Sequence, residues 1–225
     1  MEQPVLSKSR FCILSGLSGI VGVVLLGVSF AINNGPPANV NAAELVKFGQ
    51  QNYAHILCGA WLQAVGPVLI VLFALALVHL ANATSHLAGW MTLFGATVLM
   101  TVSLFEIGFY IGALNPEPVL MPSISLRFIS AVQHLYFIVA APALFLPLGI
   151  VLINSRVLPR LFGYSAVVLA IVFAAIGIIF LLTLALPPAV TALAGGQALW
   201  WFSAAITLVV RQRRLPSARW AASPS

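Results

Sequence analysis

Over its 225 residues the chain is 61% hydrophobic and only 6% charged, with a mean hydropathy of +1.08. About a quarter of the residues in a soluble domain are charged, so this composition excludes a water-soluble globular protein and predicts an integral membrane one. The net charge of +6 and pI near 10.0 raise nucleic acid as a partner, but no basic helix, zinc pattern or aromatic-basic platform is present to bind one, and none is expected.

A bilayer core of about 30 Å needs about 20 residues of apolar helix. Six runs qualify in chain order: Phe11 to Ile32, Tyr53 to Leu80, Leu87 to Leu114, Phe128 to Ile153, Leu161 to Leu186, and Ala189 to Val210. The breaks between them, "NNGPPANVN", "NATSH", "NPEPVLMPS", "NSRVLPR" and "LPPA", carry Gly, Pro and Asn turn chemistry. The expected fold is all-α: a single six-helix transmembrane domain over residues 1–225, with short tails at 1–10 and 211–225 and an outer loop at 33–52.

Lys and Arg set the orientation. With the N-terminus in the cytoplasm, the inner face carries Lys8, Arg10, Arg156, Arg160, Arg211, Arg213, Arg214 and Arg219, against Lys47 and Arg127 outside. This positive-inside bias puts both termini in the cytoplasm and accounts for the pI without a polyanion. The first apolar run exceeds the 7–15 residues of a signal-peptide core, which predicts a retained anchor. Cys12 and Cys58 fall near opposite ends of their spans, too far apart for a disulfide.

In the first outer loop, Asn41 followed three residues later by Glu44 has the spacing of a capping box. It predicts a short interfacial helix with Leu45, Val46 and Phe48 on the headgroups and Lys47 in water.

The third run holds a carboxylate. Glu106 lies nine residues before Asn115, roughly 13 Å below the outer end at 1.5 Å per residue. An ionised group at a helix centre costs about 2.5–3.5 kcal/mol on insertion scales, so Glu106 is expected to be neutralised, hydrated or partnered. Ser103 and Tyr110 share its stripe by helical spacing. Other polar residues fall at similar depth: His55 and Gln63 on the second span, Gln133, His134 and Tyr136 on the fourth, Gln197 beside Trp200 and Trp201 on the sixth. The inner halves of these spans are nearly all aliphatic. Lipid offers polar groups no partner, so the asymmetry predicts an outer-side polar pocket with candidate ligand-binding residues Glu106, His134, Gln63, His55, Tyr110, Gln133, Gln197 and Trp200. Pro67, Pro142 and Pro147 each free a carbonyl one turn upstream, near Gln63, Ile138 and Ala143.

Three functions follow. The first is binding or transport of a small amphipathic molecule in that pocket, favoured because glutamines and tyrosines on four helices suit ligand hydrogen bonding. The second is redox or metal chemistry: a b-type haem held axially by His55 and His134, or a metal on both histidines with Glu106, although no HExxH-like spacing supports it. Ser103 with His134 lacks a GxSxG context, and no enzymatic assignment follows. The third is a non-catalytic subunit joined in a homo- or hetero-oligomer through the small-residue face of the first span, Gly16, Gly19, Gly22 and Gly27.

The segment "LPLGIVLINSRVLPRLFG" resembles the signature of an uncharacterised bacterial membrane-protein family, a domain of unknown function. The matching residues are Leu146, Pro147, Leu148 and Gly149, then Leu158, Pro159, Arg160, Leu161 and Gly163. The resemblance implies six helices in a bacterial inner membrane and supplies no activity. Physically, Gly149 and Gly163 permit a close helix approach, and Pro159 ends the loop.

Overall fold

A computed structural model describes residues 8–33, 41–114, 121–183 and 189–220. Asn115, and the side chains of Lys8, Arg213, Arg214 and Arg219, lie outside what it describes. The elements are α1 (Lys8–Ile32), α2 (Ala42–Gln51), α3 (Tyr53–Leu80), α4 (Leu87–Ala113), α5 (Met121–Leu135), a π-helical turn (Tyr136–Ala140), α6 (Ala141–Asn154), α7 (Arg160–Thr183) and α8 (Ala189–Trp220). Six helices are long and apolar enough to cross a bilayer, one of them running unbroken over Pro122–Asn154 through the π turn. Six spans place both termini on one side, the inner face by its charge.

Several boundaries move from the sequence expectation. The fourth span starts at Met121, not Phe128. Arg127 interrupts the apolar run but is exposed, while Pro122, Ser125, Ile129 and Val132 are buried at helical spacing. The tails expected at 1–10 and 211–225 are partly helical, because α1 begins at Lys8 and α8 continues to Trp220.

Glycine sets the helix crossings. In the α6–α7 hairpin, a Cβ on Gly149 would stand 2.8 Å from the Gly163 carbonyl oxygen, and one on Gly163 2.9 Å from that of Gly149. Only glycine lets the two backbones come this close. Arg211 finishes the inner end by donating from Nη1 to the Val157 carbonyl at 3.1 Å, so this basic anchor also satisfies a loop acceptor.

The small-residue face of α1 is consumed inside the protein, which corrects its expected role as an oligomer surface. Gly16 packs on Val209 and the Ala205 carbonyl of α8, Gly19 on Phe73 and Ala205, and Gly22 on the Gly66 carbonyl and Ile70 of α3. Of these four glycines, Gly27 alone has nothing within 4 Å of where a Cβ would stand. Ser29, fully buried, adds a 2.8 Å bond from its hydroxyl to the Gly59 carbonyl of α3.

The carbonyls freed by proline are largely absorbed by the fold. Ahead of Pro142 the helix widens into the π turn, closed by the Ala141 N–H on the Tyr136 carbonyl. The Ala143 carbonyl, freed by Pro147, presses on Gly95 of α4, where any Cβ would clash. It is packed against a helix and not offered to a ligand.

Candidate functional site: a carboxylate held by two amides

Glu106 is half-buried on α4, and its carboxylate is met from two other helices. Gln133 of α5 donates from Nε2 to Glu106 Oε1 at 3.0 Å, and the Gln63 side chain of α3 also hydrogen-bonds the carboxyl group. Gln63 is only 4% exposed, so without Glu106 its amide would be stranded in a dry interior. Among the described residues no Lys, Arg or His forms an ion pair with Glu106. Ser103 is buried one turn deeper on the stripe, and Tyr110 lies one turn outward, near enough to feel the carboxylate charge.

A second polar pair lies beside the first. The Tyr136 hydroxyl donates to Gln197 Oε1 of α8 at 2.7 Å, and Tyr136 is also within electrostatic reach of Glu106. Tyr136 was not among the expected ligand-binding residues. Its signal was present, since it follows Gln133 by three residues and so shares its helical face.

Toward the inner side the polar layer rests on packed rings. Phe173 meets Tyr136 at 6.0 Å and Phe145 at 6.1 Å between centroids, and Phe145 in turn meets Trp200 at 5.3 Å and Trp201 at 5.1 Å. These rings, with aliphatic neighbours, form one continuous core. The polar cluster is therefore closed on the inner side.

Toward the outer side it leads to a mouth roofed by α2. The Asn41–Glu44 capping box is complete, with both reciprocal bonds at 2.9 Å. The expectation that α2 lays its apolar face on headgroups is corrected: Leu45 and Gly49, one turn apart, are buried and face the protein. With Phe48 they cover a cavity of about 40 Å³ whose other walls include Ile56, Tyr110 and Leu126. That volume holds only a few waters. Asn33 and Ile56 also border a wider polar crevice of about 300 Å³ shared with Asn52 and His55. A path of crevice, apolar antechamber, Tyr110 and Glu106 thus runs inward from the outer face.

Three expected site residues are placed elsewhere. His55 is exposed in the crevice. His134 turns away from Glu106: its Nδ1 bonds the Ser130 carbonyl at 2.7 Å, and its ring stacks on Phe180 of α7 at 3.5 Å and 6°. One residue after Gln133, it points about 100° around the helix. Axial haem ligation needs two imidazoles facing one iron, and these two occupy separate surroundings. Among the described residues no three His, Cys, Asp or Glu side chains stand close enough to share a metal, so the site of His55, His134 and Glu106 is not assembled. Trp200, 6% exposed, is neither a belt residue nor a wall of the site. Its indole N–H is spent on Ser165 Oγ at 3.0 Å and the Phe162 carbonyl at 3.2 Å, near the inner start of α7. A buried indole needs an acceptor, and α7 supplies it.

No protein-family model, curated protein or solved structure matches this chain.

Proposed function

We propose that this chain is a multi-pass protein of a bacterial cytoplasmic membrane, of the uncharacterised family its LPLG–LPR segment resembles, and that it binds a small amphipathic molecule admitted from the outer side. The observation that carries this reading is the Glu106 carboxylate held by amides from α3 and α5 below a covered outer mouth. Helices in lipid can be joined by apolar packing and small residues alone, as α6 and α7 are here. A carboxylate with two buried amide partners adds desolvation that packing does not need, and such groups inside membranes mark substrate or ion paths. The floor of rings suits a binding protein, or the outward-facing state of a carrier.

The test is thermal melting of detergent-purified protein with a panel of small amphiphiles, comparing wild type with Gly49→Leu. A Cβ on Gly49 meets only the Ala113 carbonyl at 3.9 Å, so a leucine there extends into the antechamber without displacing backbone. A ligand that raises the wild-type melting temperature and leaves Gly49→Leu unmoved supports the path. Equal stabilisation of both proteins refutes entry beneath α2.

A further inference from the structure

We infer that the molecule taken at Glu106 carries a positive charge, an alkylammonium head on a short apolar body. This rests on the binding reading above and adds the chemical class. The carboxylate's hydrogen bonds come from neutral amides, Gln133 at 3.0 Å and Gln63. The described cations near the outer side, Lys47 and Arg127, are exposed. His134 commits Nδ1 to the Ser130 carbonyl and one ring face to Phe180. The protein thus supplies a carboxylate and no counter-charge, and a cation completes the balance.

The remaining chemistry fits an ammonium better than other cations. Each glutamine that donates its N–H₂ to Glu106 keeps an amide oxygen able to accept. The carboxylate and these oxygens match the several N–H donors of one ammonium head. Tyr110 and Tyr136, both within electrostatic reach of Glu106, offer aromatic faces to a cation. The antechamber of Leu45, Phe48, Ile56 and Leu126 suits an alkyl body and gives nothing to a hydrated metal ion. An anionic head would meet Glu106 as a like charge in a low-dielectric site, an unfavourable contact worth on the order of 100-fold or more in affinity.

The experiment uses hexylammonium, hexanol and hexanoate, equal in chain length and different only in head charge, at matched ionic strength with sodium chloride as control. Melting temperature is followed against concentration in the full chain in nanodiscs. Hexylammonium should stabilise wild type saturably, with Glu106→Gln weakening its apparent affinity by about 100-fold or more. Hexanol, hexanoate and sodium should have no saturable effect. Should hexanol or hexanoate stabilise as well as the amine, the charge assignment is overturned while the binding reading stands. No saturable shift from any of the three overturns both. If Glu106→Gln does not fold, the head-group series on wild type decides alone.

Discussion

The bond between Tyr136 and Gln197 offers a direct measure of what the polar layer contributes to the fold. It joins the π turn to α8 across 61 residues of chain at 2.7 Å. Around it α8 is thinly packed: Ala194, Gly195, Gly196, Ala198 and Leu199 are exposed, and neither glycine has an atom within 4 Å of where a Cβ would be. The bond is thus a principal tie of the outer half of α8. Tyr136→Phe leaves the Gln197 amide without its partner, and Gln197→Leu leaves the tyrosine hydroxyl without its acceptor. Interhelical hydrogen bonds in membranes average about 0.6 kcal/mol by double-mutant cycle, with a maximum of about 1.7. The short, half-buried geometry here predicts a coupling in the upper part of that range, about 1–1.7 kcal/mol. Each single variant should lose about 1–2 kcal/mol, and the double variant little more than either. The assay is reversible unfolding in mixed micelles for wild type, both single variants and the double. A coupling within about 0.5 kcal/mol of zero, the ordinary error of additivity, would show that α8 is held by apolar packing and refute the reasoning.

Gly149→Ala should destabilise by about 1–3 kcal/mol, because its Cβ would lie 2.7 Å from Val167 Cγ2 and 2.8 Å from a backbone oxygen. Gly27→Ala, with nothing within 4 Å, should stay within about 0.5 kcal/mol of wild type; both are read by the same unfolding assay. Asn41→Ala removes half of the capping box, a loss of about 1 kcal/mol. It should speed amide exchange in α2 about fivefold while leaving global melting unchanged, and unchanged exchange would mean that contacts to the bundle alone hold α2. His134→Ala removes a ring stacked on Phe180 and should cost about 2–4 kcal/mol. Its folded fraction should keep the wild-type response to amphiphiles, whereas loss of that response in folded protein would return His134 to the site.

Much of the site was legible along the chain, and the limits of that legibility are physical. Glu106, Ser103 and Tyr110 could be assigned to one stripe because the period of a helix is fixed by its own backbone hydrogen bonds. Depth likewise follows from rise per residue, so Gln63, Gln133 and Gln197 could be placed at comparable levels. Depth alone does not say which way a side chain faces. Gln133 and His134 differ by one residue, and only the position of α7 decided that the histidine would pair with Phe180 while the glutamine turned to Glu106.

Sequence by itself determined that this chain spans a membrane six times, because lipid admits only long apolar helices with their backbone groups satisfied internally. It determined the orientation through the charge of the loops, and the capped helix in the outer loop through a local spacing of two residues. Tertiary structure decided which helices touch. It spent the glycines of α1 on α3 and α8, drew Trp200 toward Phe162 and Ser165, separated His55 from His134, and laid α2 over the mouth. These outcomes depend on crossing angles and azimuths, which are set by how side chains of distant segments interlock and which no single segment encodes.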